Sequence, residues 1–303
     1  MTDINRSFWK LLAIFGIFAL IMPSCESSTP EFNLQGHRGC RGLMPENSIP
    51  AFIHAVDLGV QTLELDLAVS AEKELIVSHE PWMASAICLN PSGKEYSEEK
   101  EKSYNIYRMT YDQIEAFDCG SKINPRFPDQ KKMSTTKPRL ADVIDAVKVF
   151  CAANSLPEPN WNLEIKSHPE WDNKFAPTPE VFAQLVYNLV REKEIADRCI
   201  IQSFDIRQLQ AYHQLDADFN AALLVQKDWS PEDNIEELGF EPPVYSPHYT
   251  LVTPDLVRWC HINEMKIYPW TVNEVADMKK MVEYGVDGLI TDYPDRYLNE
   301  VAK

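Results

Sequence analysis

The sequence predicts an α/β protein of the (β/α)8 TIM-barrel class, with a small lid-like insertion after a hairpin on the second strand. Three observations point there. Eight short apolar runs with strand character recur along the chain, stretches with apolar residues at helical spacing lie between them, and 303 residues suffice to bury a large core. Strand followed by helix, repeated, implies a parallel sheet with helices outside it, and eight repeats fit a closed barrel better than an open sheet.

In order, the strand candidates are 34–36, 62–68, 161–166, 199–204, 221–225, 244–246, 266–271 and 288–292. Helical spacing marks 48–58, 140–153, 179–195, 206–215, 254–262 and 274–284. Two places break the alternation. Between Asp66 and His79 there is no room for a helix, yet Leu75, Ile76 and Val77 are strand formers, so a β-hairpin is expected. A two-residue turn at Glu72-Lys73 pairs Ala71 with Glu74 and sets Asp66 opposite His79. The second break, 81–139, is rich in charged, serine and tyrosine residues, with one helical piece near 111–117. Loops this long in a barrel are usually substrate-facing caps, and its charged clusters 98–102 and Lys131-Lys132 read as solvated surface.

The first 25 residues read as a targeting segment. Arg6 and Lys10 precede an apolar stretch, 11–22, that is shorter than the roughly 20 residues a membrane span needs. Ser24-Cys25 follows it and resembles a bacterial lipoprotein signal, with an ordinary signal peptide or a single anchor as the alternatives. The expected layout is therefore a signal at 1–25, a tether at 26–33 and the barrel domain at 34–303, exported to the periplasm or cell surface and held to a membrane by lipid on Cys25. No cysteine pair has zinc-ligand spacing; Cys88 and Cys119 share the insertion and are the pair an exported protein would oxidise. Cys151, Cys199 and Cys260 read as small buried apolar side chains.

A net charge of -17 argues against a nucleic-acid partner and requires a local positive site for any anionic substrate, for which Arg38 and Lys166 are the candidates. The acids explain why. In Leu63-Glu64-Leu65-Asp66-Leu67 strict alternation sends the leucines outward to the helices and both carboxylates inward, about 6.6 Å apart along the strand. Leu163-Glu164-Ile165-Lys166 repeats the scheme on the next parallel strand. Three carboxylates converging in a low-dielectric mouth repel one another unless a cation sits among them, and all-oxygen ligands suit a hard divalent ion, Ca2+ or Mg2+. The other reading of Glu64, Asp66 and Glu164 is a buried salt-bridge cluster with Lys166 and Arg38. With His37 and His79 close by, the parts suit metal-assisted chemistry on a phosphate ester. Asn47 reads as a helix N-cap and Glu46 as support for Arg38; Phe204 and Trp270, at strand ends, are placed to cover substrate carbons or simply to pack. His54, His168, His213, His248 and His261 carry no such signal.

These residues also carry a family resemblance. Gln35-Gly36-His37-Arg38-Gly39, Pro45-Glu46-Asn47-Ser48, Glu64-x-Asp66, Ile76-Val77-x-His79, Leu163-Glu164-Ile165-Lys166, Gln202-Ser203-Phe204, Trp270-Thr271-Val272-Asn273 and the run from Asp287 to Pro294 resemble, in order, the motifs of the glycerophosphodiester phosphodiesterases. The resemblance implies a barrel with a small insertion, a divalent metal, and hydrolysis of a glycerophosphodiester to glycerol 3-phosphate and an alcohol. By matching position it makes His37 and His79 the acid/base pair, Glu64, Asp66 and Glu164 the metal ligands, and Arg38 and Lys166 phosphate contacts. Glu80 stands where the family commonly has Asp, and the hairpin lacks the usual Asp-Gly. Two other readings are a metal-free phospholipase C or lyase of related barrel shape and a lipoprotein that binds phosphodiesters without turnover. Chelator sensitivity separates the first of these, and a His37→Ala variant the second.

Overall fold

The computed structural model describes residues 32–227 and 229–302; the expected signal at 1–25 with Cys25, and residues 26–31 of the expected tether, lie outside the described residues. The strands are β1 (Asn33–Gly36), β2 (Thr62–Val69), β3 (Leu75–Val77), β4 (Asn160–Ile165), β5 (Cys199–Ser203), β6 (Asn220–Val225), β7 (Val244–Pro247), β8 (Lys266–Ile267) and β9 (Gly288–Thr291). Eight run parallel in the order β8-β7-β6-β5-β4-β2-β1-β9, and β3 hooks antiparallel onto β2. The ring closes between β8 with the residues that follow it and β9 with the residue before it. Asp287 N donates to Ile267 O (3.2 Å), Ile290 N to Pro269 O (2.9 Å) and Val272 N to Ile290 O (2.9 Å).

Each expected run is thus a stave of the barrel, with one shortened. The run expected at 266–271 keeps regular pairing only at Lys266–Ile267, because Pro269 has no N–H to offer a ladder. The helices are α1 (Ile49–Leu58), α2 (Glu98–Glu101), α3 (Tyr111–Glu115), α4 (Leu140–Asn154), α5 (Pro179–Glu192), α6 (Ile206–Leu215), α7 (Pro231–Leu238), α8 (Pro254–Ile262), α9 (Val275–Tyr284) and α10 (Pro294–Glu300). Helices α2, α7 and α10 were not anticipated from periodicity. In α7 the signal lies at the ends: Ser230 Oγ accepts from Asp233 N, Pro231 opens the first turn, and Gly239 closes it at φ +83°. The main core lies between staves and helices, with the outward Leu63, Leu65 and Leu67 fully buried against it.

The hairpin corrects the expected register by one residue. Leu67 pairs with Val77, Ala68 with Ile76 and Val69 with Leu75, so Ser78, not His79, comes opposite Asp66, and its N–H donates to Asp66 O (2.9 Å). The turn has three residues, closed by Ser70 N to Glu74 O (2.9 Å), with Lys73 left-handed at φ +64° as the extra one. The insertion makes its own small core: Met83, Ile87, Ile106, Ile114 and Phe117 pack on Ala68 and Ile76 of the hairpin. A disulfide joins Cys88 to Cys119 within it, while Cys40, Cys151, Cys199 and Cys260 are free and buried.

Candidate active site

Strand geometry assembles the acids. The parallel register sets Asp66 of β2 beside Glu164 of β4, and ligand oxygens of Glu64, Asp66 and Glu164 all lie within 4.8 Å of one another. Glu64 accepts from Gln202 Nε2 (2.8 Å) and from the Arg38 N–H (2.9 Å). Asp66 Oδ2 accepts from Asn47 Nδ2 (2.8 Å) and faces Arg38 Nε at 3.1 Å. Lys166 Nζ lies 2.7 Å from Glu164 Oε1 and 3.3 Å from Asp66 Oδ1. Burial, then Asp66 and Glu164, push the Glu64 carboxyl well above the usual range. Burial also raises Glu164, with Lys166 opposing and Asp66 assisting. Asp66, although buried, is held well below its ordinary value by Arg38 and Lys166.

The salt-bridge reading and the metal reading can be weighed by counting charge. Linked by ion pairs, five buried carboxylates, Glu46, Glu64, Asp66, Glu164 and Asp292, face three cations, Arg38, Arg41 and Lys166; five minus three leaves two negative charges, the charge of one divalent ion. Among the described residues Asp66 Oδ1 makes no well-aligned hydrogen bond and meets only the Lys166 ammonium at 3.3 Å, which leaves acceptor capacity for a cation. The donor set is hard oxygen throughout, so these residues fit a divalent ion.

His37 follows β1, where Arg38 (φ +51°) and Gly39 (φ +85°) turn the chain sharply; a Cβ on Gly39 would come within 2.7 Å of the Ala51 backbone, so only glycine fits. The turn aims the imidazole at the acids, with Nε2 3.9 Å from Glu64 Oε2. Its Nδ1 donates to Asp292 Oδ1 (2.6 Å). Asp292 is in turn held by Arg41 Nε (2.9 Å), Arg41 Nη2 (3.1 Å) and Asn273 Nδ2 (2.8 Å). Burial pushes His37 down to about 4, with Asp292 opposing, so the ring is neutral with its Nε2 lone pair free.

His79 stands one residue beyond the hairpin pair, a third exposed, with Nδ1 2.7 Å from Glu80 Oε1. It follows Ser78, whose N–H is bonded to Asp66 O, and so stands at the same end of β2 as the acids. Burial opposes ionisation of Glu80, yet the bond to His79 and the Lys137 ammonium hold its carboxyl far below the usual range. Opposite, Phe204 and Trp270 meet edge to face at 5.2 Å, with Lys166 Nζ 5.8 Å from the Phe204 ring and His248 5.1 Å from Trp270.

All nine residues singled out from the sequence therefore border one mouth. Two roles change: the cap of α1 is Ser48, whose Oγ accepts from Ala51 N, and Asn47 instead clamps Asp66. Sequence reasoning missed Arg41, Asn273 and Asp292 behind His37 and Lys137 behind Glu80. Asn273 and Asp292 lay within the matched motifs, where their polar side chains at stave ends were the available signal.

Fold and site together define a barrel hydrolase whose mouth is compatible with a divalent ion. Residues 37–296 match the glycerophosphoryl diester phosphodiesterase family, and the chain belongs to it. A glycerophosphodiester phosphodiesterase of Caldanaerobacter subterraneus subsp. tengcongensis is 28% identical over 273 residues, 88% of this chain and 96% of that protein. A Silicibacter pomeroyi structure, provisionally named as a glycerophosphoryl diester phosphodiesterase, superposes with a TM-score of 0.79 at 29% identity over 88% of this chain and 92% of its own. An Oleispira antarctica phosphodiesterase, solved with its product sn-glycerol-3-phosphate, shares the fold with a TM-score of 0.70 at 18% identity, covering 89% and 97%.

Proposed function

We propose that this protein hydrolyses glycerophosphodiesters to glycerol 3-phosphate and an alcohol by two-histidine acid–base catalysis through a cyclic phosphate. The observation that carries the reading is the asymmetry of the imidazoles. His37 is buried and neutral with its Nδ1–H pinned by Asp292, while His79 is more open, its Nδ1 2.7 Å from the Glu80 carboxylate. His37 Nε2 takes the proton of the glycerol hydroxyl next to the phosphate; that oxygen bonds to phosphorus as the bond to the leaving alcohol breaks, and His79 gives its proton to the departing oxygen. A five-membered cyclic phosphate results. Water then opens it with the roles exchanged: His79 takes the water proton, and His37 returns its proton to the glycerol oxygen.

Glu64, Asp66 and Glu164 would hold a Ca2+ or Mg2+ ion, which supplies charge neutralisation at the phosphoryl oxygens. Lys166 and Arg38 contribute positive charge at the same mouth, Arg38 being oriented by Glu46 (2.7 Å). Phe204 and Trp270 offer an apolar wall for the glycerol carbons. Export rests on the N-terminal apolar segment with Cys25 and suits the Cys88–Cys119 bond, which persists in oxidising compartments. The test is release of glycerol 3-phosphate from glycerophosphocholine and glycerophosphoethanolamine, with and without chelator, for parent and His37→Ala protein. The proposal expects loss on chelation, recovery with added cation, and a drop of at least about a hundredfold in the variant. Turnover indifferent to both overturns it.

A further inference from the structure

Lys137 has no part in the mechanism above and is only 3% exposed. It lies on the returning limb of the insertion, which runs along β3: Val77 N donates to Pro138 O (2.8 Å), and Ile76 bridges to Arg139. Its ammonium donates to Ser78 Oγ (2.7 Å), which itself donates to the Glu80 carbonyl (2.5 Å). Burial lowers its pKa below the ordinary lysine value, with Glu80 and Glu46 opposing and Arg38 assisting. Burying an ammonium costs several kcal/mol, and an apolar side chain would fill this position without that cost. What the charge does is visible at its neighbours: through Ser78 Oγ it braces the Ser78-His79-Glu80 turn from behind, the turn whose Glu80 carboxylate holds His79 Nδ1.

We propose that Lys137 is a positioning residue for His79, fixing the Ser78-His79-Glu80 turn through Ser78 so that Glu80 holds the ring and His79 Nε2 presents its proton to the leaving alcohol. This rests on the acid role given to His79 above. Glu80 orients the ring and Lys137 orients Glu80, a relay built from the insertion rather than from the staves. His37 has its counterpart in Asp292 and Arg41 on the opposite side.

The experiment compares two glycerophosphodiesters at saturating divalent cation. One releases choline, whose alkoxide needs a proton, and the other releases 4-nitrophenolate, which does not. Lys137→Met and Lys137→Gln should lose roughly tenfold or more in kcat for choline release, with KM within about twofold, and less than about threefold for nitrophenolate release. Lys137→Arg should restore most of the choline rate. The ratio of the two rates does not depend on the fraction of enzyme folded, so a destabilised variant still reports. Equal losses on both esters, or none, overturn the inference. His79→Ala separates the two layers: if it slows both esters alike, the acid role of His79 falls and this inference with it. If His79→Ala discriminates and the Lys137 variants do not, this inference alone falls.

Discussion

Asp292→Asn is the substitution that tests the base most sharply. Asp292 Oδ1 accepts from His37 Nδ1 and Arg41 Nε, while Oδ2 accepts from Arg41 Nη2 and Asn273 Nδ2. An asparagine has one carbonyl and one NH2 for these two positions. At the Oδ2 position the NH2 would meet two donors, and Asn273 cannot flip cheaply because its Oδ1 already accepts the residue-292 N–H (2.9 Å). At the Oδ1 position it meets one fixed donor, Arg41 Nε, and the imidazole, which can change tautomer. The second arrangement therefore wins by about one buried donor clash, about 1–3 kcal/mol. It moves the His37 proton to Nε2 and removes the lone pair that serves as base. Loss of the carboxylate that steadies the protonated ring adds about 1–2 kcal/mol, so kcat should fall by roughly 10²–10³ with a small change in KM. Steady-state release of glycerol 3-phosphate at saturating cation measures it. A folded variant that keeps more than about a tenth of parental kcat would refute the assignment of His37 as an Asp292-held base.

Two further outcomes follow from the same geometry. Because burial lowers His37 to about 4, it stays a competent base until the pH falls through that value, so the acid limb of kcat/KM should lie near pH 4 rather than 6.5. Glu64 and Glu164, both raised by burial, take up protons earlier and compete with the cation, so the profile must be taken where added cation no longer changes the rate. A limb at pH 6 to 7 under those conditions would mean that another group is the base. Reduction of Cys88–Cys119, or a Cys88→Ser/Cys119→Ser variant, opens a loop with a sequence separation of 31. Chain entropy sets the destabilisation at about 3–4 kcal/mol, readable as a lower unfolding midpoint, and an unchanged midpoint on reduction would refute it.

The staves and the acids were legible because both follow from alternation. Leu63-Glu64-Leu65-Asp66-Leu67 cannot bury its leucines against helices without turning its carboxylates inward, and that is how β2 lies. Register was harder, since it depended on Lys73 adopting a left-handed conformation that its side chain does not advertise, and one residue moved His79 past its expected partner. Helix α7 escaped because apolar periodicity is faint over eight residues and its boundaries are written in Ser230 and Gly239. Lys137 was invisible for another reason. Its hydrogen-bond partner Ser78 is 59 residues away, and nothing local distinguishes a lysine that folds inward from one that faces water.

The seam where the ring closes has few rungs, and Asn273 and Asp292 sit on its two lips. Asn273 Oδ1 takes the Asp292 N–H while its Nδ2 grips the carboxylate that fastens His37. One amide thus both buttons the cylinder and tethers the imidazole proposed as the base. Partial gaping along that edge, well short of unfolding, would release the ring from its tether, and gentle denaturant should silence turnover before the helices melt.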